Sequence, residues 1–273
     1  MARGVAVAKN EGRLVFGGMA RWDGLDLFGP NYTSVAYRRK GEIHVKIEPS
    51  ALRRPTNPTI QRVSRWPIIR SFFLWGRVFA QVFGSVWSLL FFTVTIAGLW
   101  LFVHLLQLGS GVGTFGGVFA FFAEFPILPI LLVFFAAMKF TPIGRYHGAE
   151  HKAVAAYEKY GEVTLQNAKN SSRIHPRCGT NILLYIILAA LLDPLIAWWG
   201  YAIVQFILIS EAWFIFGKSR PSIAVGNFLQ RYLTTTEPRR YQLEVAVESL
   251  NRLLQAEEER QIDEVAVRLK ARY

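Results

Sequence analysis

The sequence predicts an α-helical integral membrane protein of about four transmembrane helices, arranged as two hairpins, with a small cytosolic α+β domain. Two observations carry this expectation. Hydrophobic residues make up 52% of the 273 and aromatic residues 14%, yet 31 Lys and Arg stand against 19 Asp and Glu, a net charge of +12. Soluble domains rarely combine that apolar content with that charge. The charges are also segregated: Val78–Met138 and Cys178–Gly217 contain no Lys or Arg, so all the basic residues lie in the three flanking stretches. By the positive-inside rule this places the N-terminus, the Lys139–Arg177 loop and the C-terminus in the cytoplasm, with an even number of crossings.

Residues 1–50 are expected to hold a cytosolic Gly-rich loop and a β-hairpin. "YTSVAYRRKGEIHVKI" alternates apolar and polar residues around a turn at Gly41. The closely spaced glycines of "FGGMARWDGLDLFGP" read as a tight loop rather than a regular element. "MARGVAVAKNEGRL" has no continuous apolar core and does not read as a signal peptide. Residues 51–77 form a proline-rich linker and then an interfacial segment, "RWPIIRSFFLWGR", which mixes aromatic and basic residues.

Residues 78–138 are the first expected hairpin, turning at "QLGSGVGT", and residues 179–217 the second, with a short first arm. Val82–Leu106, Phe119–Met138 and Leu195–Phe216 each reach the roughly 20 apolar residues that cross a bilayer core. Trp66, Trp75, Trp87 and Trp100 suit aromatic belts. Residues 218–273 read as one or two C-terminal helices, with Leu243, Val247, Leu250 and Leu254 at helical spacing. That stripe suits packing on the cytosolic domain; a coiled-coil face is the alternative.

The chemistry sits in residues 139–178. "YHGAEHK" contains H-x-x-E-H, and His147 and His151, four apart, share one face of a helix. They can present two imidazoles to one ion, with Glu150 as the base that activates water in inverted zinc peptidases. Two ligands are too few, and "IHPRCGT" offers His175 and Cys178. All four together close a structural zinc site, whereas three leave a position for water. Glu211, in the last apolar run, needs a partner for its carboxylate and is a further candidate ligand or acceptor. Glu158 shares the histidine face but lies about 10 Å beyond His151 along a helix. His44 reads as an exposed strand residue. His104 and Glu124 are expected on the far side of the membrane.

"YHGAEHK", "SSRIHPRCGT" and "LQRYLTTTEPRRYQLEVAVESL" resemble the YqhQ-like family of bacterial multi-pass membrane proteins, a domain of unknown function described as a metal-dependent enzyme. The resemblance implies a bacterial inner-membrane location. It also implies a polar set falling on His147, Glu150, His151, Glu158, His175, Arg177, Cys178, Glu211 and Glu237. The family's Gly-Gly-Gln-Ala loop and Glu-Gly pair correspond to "GGMARWDG", with Met19 for Gln and Asp23 for Glu; its Pro-Gly-Leu-Trp-Leu-Gln stretch corresponds to "VGNFLQ".

The leading expectation is a zinc hydrolase (or an enzyme using another divalent metal) at the cytoplasmic membrane face, with Arg145, Arg173 and Arg177 available to an anionic group. The alternative is a non-enzymatic interaction or assembly factor with a structural His/Cys cluster, contacting anionic lipid, a membrane protein or a ribosome. Basic residues are scattered rather than set on an aromatic platform, which disfavours RNA readout. A transporter, which would require a homo-oligomer to build a path, is the weakest reading.

Overall fold

Strand pairing, more than local propensity, organises the N-terminal residues. In the computed structural model, which describes residues 14, 16–50, 57–82, 127–192 and 201–270 with eight isolated positions between 90 and 117, four strands form one antiparallel sheet in the order β1-β2-β3-β4. They are β1 (Gly17–Ala20), β2 (Gly24–Phe28), β3 (Tyr32–Arg39) and β4 (Glu42–Pro49). The β3–β4 turn puts Lys40 and Gly41 at positive φ, the geometry of a two-residue hairpin turn. The stretch expected to be a glycine loop is instead β1 and β2, paired from Gly17↔Phe28 to Ala20↔Leu25. Its glycines were misleading because hydrogen bonds to the neighbouring strands, rather than residue preference, hold it extended.

The helices are α1 (Pro58–Val63), α2 (Ile69–Val82), α3 (Ile127–Phe140), α4 (Pro142–Tyr160), α5 (Leu165–Lys169), α6 (Leu183–Leu192), α7 (Tyr201–Phe216), α8 (Arg220–Leu229) and α9 (Arg240–Lys270). The chain divides into two compact units. The first comprises Met1–Arg54, Ala137–Cys178 and Asn227–Tyr273, the second Pro55–Ala136 and Gly179–Gly226.

In the first unit, α9 lies against β2, β3, β4 and α4. Leu25, Leu27 and Ala36 from the sheet meet Ala149 and Ala153 of α4 and Leu243, Ala246, Leu250 and Leu253 of α9 in one core. Alanines on α4 let helix and sheet approach closely. The buried face of α9 is wider than its leucine stripe, because Gln242, Val245 and Ser249 are also buried between two neighbours. Ser249 shares a 2.9 Å hydrogen bond with Ser34 of β3. Further along, the fully buried Glu257 accepts from the backbone N–H of Asn31 (2.8 Å) and Tyr32 (2.9 Å) and from the Asn31 side chain (2.7 Å). One carboxylate thus satisfies the β2–β3 turn and pins α9 to it; a buried charge is tolerable because its oxygens are so fully occupied.

In the second unit, Trp75 of α2 stacks on Phe206 of α7 at 4.2 Å and donates to Ser210 at 2.6 Å. Tyr185 of α6 donates to Ser222 of α8 at 3.0 Å. Phe72, Leu132, Val133, Leu208 and Phe216 are large apolar side chains left exposed on this unit.

The expected four-span membrane fold is corrected by helix length. Among the described residues no single helix is long and apolar enough to cross a bilayer. At 1.5 Å per residue, α6 reaches about 15 Å and α7 about 24 Å, against a hydrocarbon core of about 30 Å. One bent pair, Leu128–Phe140 with Pro142–Tyr160, passes only in combination and turns by 70° at its break. Pro142 enforces that break, since it has no N–H to continue α3, and Thr141 caps the new helix by accepting from Ile143. The described residues therefore form an α+β fold. Most of residues 82–106, residues 119–126 of the second expected span and residues 195–200 of the last lie outside the described residues, as do Trp87, Trp100, His104 and Glu124.

Candidate metal centre

Helix α4 carries three of the site residues on one buried turn. It starts at the Thr141 cap with Pro142 in its first turn and ends at Gly161 in the left-handed conformation. Its glycines serve close approach. A Cβ on Gly148 would fall 2.4 Å from the Thr236 carbonyl oxygen, and Thr236 N–H donates to the Gly144 carbonyl at 2.8 Å. The segment after α8 therefore lies directly on α4, beside His147.

The histidine tautomers follow from these neighbours. His147 Nδ1 donates to the Thr234 carbonyl at 2.8 Å, and His151 Nδ1 donates to the Arg173 carbonyl at 2.7 Å. A carbonyl can only accept, so each Nδ1 carries a proton and each Nε2 is the ring nitrogen turned toward Cys178 and available to an ion that displaces the thiol proton. Burial, and then the neighbouring His147, hold His151 below its ordinary pKa and so in the neutral form that metal binding requires. The two rings are 4.4 Å apart, and Cys178 Sγ lies 3.3 Å from His147 Nε2. One ligand atom from each of His147, His151 and Cys178 lies within 4.8 Å of the others, and all three residues are buried. Zinc bonds of about 2.0 Å to nitrogen and 2.3 Å to sulfur put tetrahedral ligands about 3.3–3.6 Å apart, so the set fits one ion after a small contraction.

Thr234 is available because Gln230–Thr234 is a π-helical turn, closed by Thr235 N–H to the Gln230 carbonyl at 3.0 Å. Such turns alter the carbonyl ladder and are frequent at functional sites. The side chain of Gln230 then acts as a second strand for the cysteine loop. It accepts from His175 N–H at 2.8 Å and donates to the His175 carbonyl at 3.0 Å.

Of the sequence-predicted residues, the structure brings His147, His151 and Cys178 together and gives the rest other surroundings. His175 turns to Glu158: its Nε2 donates to Oε2 at 3.0 Å while Nδ1 accepts from Arg177 N–H at 3.3 Å. Both ring nitrogens are engaged, so His175 lies outside the donor set. Burial works to raise the pKa of Glu158, but the hydrogen bond from His175 and the paired Arg177 outweigh it and hold it below the usual range. Arg177 and Arg173, expected at an anionic group, are occupied by Glu158 and by backbone carbonyls respectively. Glu237 is largely exposed and pairs with the buried Lys152 at 2.8 Å and with Arg173 at 3.5 Å. Asp23 sits at the β1–β2 turn, 3.6 Å from Arg21. Glu211 belongs to the second unit, where Ile68 N–H (3.0 Å), Ser71 (2.8 Å) and the guanidinium of Arg70 occupy its oxygens.

Glu150 differs from all of these. It is buried and its Oε2 has no hydrogen-bond partner among the described residues. Burial pushes its pKa up to about 7 against the opposing pull of His147 and His175. Gly18 of β1 lies over it: a Cβ there would fall 2.4 Å from Glu150 Cδ. Gly18 of the N-terminal glycine pair therefore reaches the centre through its backbone, while Asp23 pairs with Arg21 at the β1–β2 turn. We expect Gly18→Ala to destabilise the protein by about 1–3 kcal/mol, the range for overpacking a tight interior. Urea unfolding should show most of that cost vanish in a Glu150→Ala background, because the clash partner is gone. Equal costs in both backgrounds would mean that Gly18 serves the strand instead.

Sequence reasoning gave Gly18, Gln230 and Thr234 no role at the histidines and read Arg173 as a partner for an anionic group, where the structure gives it Glu237 and the π-helical turn. The signals present, a Gly-Gly pair and the glutamine ending "VGNFLQ", carry no spacing rule that ties them to α4.

A family model described as "Protein of unknown function (DUF1385)" matches residues 75–256. "Uncharacterized protein YqhQ" of Bacillus subtilis (strain 168) is 36% identical over 151 residues, which cover 48% of this chain and 47% of that protein. The matched part thus spans about half the length of that relative. No solved structure matches the chain.

Proposed function

This chain belongs to the DUF1385 family of proteins of unknown function, and we propose that it is a metal-dependent hydrolase whose centre is His147, His151 and Cys178 with Glu150 as proton carrier. One observation carries the reading: a buried carboxyl with an unpartnered oxygen stands on the same helical turn as two histidines whose Nε2 lone pairs are turned inward. A purely structural cluster would gain nothing from such a carboxyl, since an unpaired buried polar group costs stability.

The donor set favours zinc among divalent ions, because two imidazoles and a thiolate suit a tetrahedral borderline-soft metal. Three protein ligands leave one coordination position open, as catalytic sites do and closed structural sites do not. A zinc ion bound there supplies Lewis acidity to the substrate and lowers the pKa of water. The protein does the rest. Thr234 and Arg173 orient the imidazoles, and Glu150 takes a proton from the attacking water and returns it to the leaving group as that bond breaks.

The test is metal content and turnover of the full chain, with p-nitrophenyl acetate and bis(p-nitrophenyl) phosphate as acyl and phosphoryl probes. We expect about one equivalent of zinc in the wild type and in Glu150→Gln, with hydrolysis at least about 100-fold slower in the variant. Full activity in Glu150→Gln would remove its assigned role; a protein that takes up no metal would end the reading.

A further inference from the structure

We infer that Arg173 is a positioning residue that sets the tautomers of both metal-binding histidines, one through its backbone and the other through its side chain. The inference rests on the metal centre proposed above and adds what aims that centre. At one end of the residue, the Arg173 carbonyl accepts from His151 Nδ1 at 2.7 Å. At the other, the guanidinium grips the π-helical turn: Nη1 donates to Thr235 Oγ1 at 2.5 Å and to the Thr235 carbonyl at 3.1 Å, and Nη2 donates to the Arg231 carbonyl at 3.1 Å. That turn presents the Thr234 carbonyl that accepts from His147 Nδ1 at 2.8 Å. The two imidazoles are therefore oriented by the two ends of one residue, its backbone carbonyl and its guanidinium.

The chemistry explains why arginine stands here. Its planar fork offers five N–H donors and no acceptor, so it can satisfy several carbonyls of a turn at once. Lysine, a single flexible ammonium, cannot hold the same set. The turn it braces also carries Gln230, whose amide clamps the backbone of His175, three residues before Cys178. Arg173 is consequently tied, directly or through the turn it braces, to the geometry of every member of the donor set. It binds no ion itself, because its effect reaches each imidazole through a backbone carbonyl, that of Arg173 or that of Thr234. Outer partners of this kind fix the tautomer of a ligating histidine and are typically worth 10–100-fold in metal affinity.

The test uses the full chain with isotope-labelled histidines. Long-range proton–nitrogen spectra of the chelator-treated protein read the tautomers, and competition with a chromophoric chelator reads zinc affinity. We expect both wild-type rings in the Nδ1–H form. In Arg173→Gln, with far-ultraviolet circular dichroism unchanged, both rings should become tautomer mixtures and zinc should bind about 10–100-fold more weakly. Thr235→Val removes the hydroxyl that accepts from Arg173 and donates to the Gln230 carbonyl at 2.7 Å within the turn, so it should disturb His147 and leave His151 in place. Arg173→Gln with both rings still Nδ1–H and unchanged zinc affinity would overturn the inference. Should Arg173→Gln fail to fold, Thr235→Val decides, and an unaltered His147 ring overturns it. A wild type that takes up no zinc would end the metal reading, while the tautomer spectra would still judge Arg173 on its own.

Discussion

In His147→Ala/His151→Ala, zinc affinity falls by about four orders of magnitude. Structural zinc sites bind with about 10–16 kcal/mol, and a three-ligand centre stands near the lower end of that range. Losing two of three ligands removes about 6 kcal/mol, and 1.4 kcal/mol is a factor of ten. The double variant also deprives the Thr234 and Arg173 carbonyls of their donors. Some loss of stability in the metal-free protein is therefore expected and has to be measured beside the affinity. Cys178→Ala isolates the metal effect better, since alanine replaces a small buried side chain with little change of shape. Loaded with cobalt, the wild type should show a sulfur-to-cobalt charge-transfer band in the near ultraviolet, and Cys178→Ala should lack it. A band that survives in Cys178→Ala would exclude the thiolate from the donor set.

The second large effect is on stability and depends on pH. In the metal-free protein the Glu150 carboxyl has a pKa of about 7, against an ordinary 4.5. A raised folded-state pKa means that the folded protein binds the proton more tightly than the unfolded chain. The resulting stabilisation is fully present below pH 4.5 and is lost as the pH rises through about 7. Each tenfold difference in proton affinity is about 1.4 kcal/mol, so the loss approaches about 3 kcal/mol by pH 8. Glu150→Gln has no proton to lose. With chelator present, urea unfolding at pH 5 should find variant and wild type similar; at pH 8 the variant should be the more stable by up to that amount. His151, with its lowered pKa, contributes the opposite slope to both proteins and cancels in the difference. Parallel pH profiles for the two proteins would show that Glu150 is not desolvated.

These two predictions separate roles that the sequence presents as one motif. His147, Glu150 and His151 are legible as a unit because a helix brings residues three and four apart onto one side, whatever the rest of the chain does. Cys178 is legible only as one of three further candidates, with His175 and Glu211. Three-dimensional packing chooses between them. Glu158 and the Arg177 backbone engage both ring nitrogens of His175, while Gln230 holds the loop so that Cys178 faces His147. Glu211 shows the same division. Its carboxylate in an apolar run does have partners, as burial energetics require, but Arg70, Ser71 and the Ile68 N–H supply them.

What the sequence determined by itself is whatever rests on neighbours a few residues apart: the helix that carries H-x-x-E-H, the β3–β4 turn, the amphipathic C-terminal helix and the spacing of the two histidines. The tertiary structure decided everything that depends on pairing across distance. Hydrogen bonding between strands turned a glycine-rich stretch into β1 and β2 and laid Gly18 over Glu150. The turn of 70° between α3 and α4, invisible to a count of apolar residues, divides one apolar stretch, and no described helix has membrane-spanning length and apolarity. The carbonyls of Thr234 and Arg173 fixed which nitrogen of each histidine faces inward. Backbone carbonyls are common to every residue, so no side-chain pattern could announce them; only the path of the chain brings them to the imidazoles.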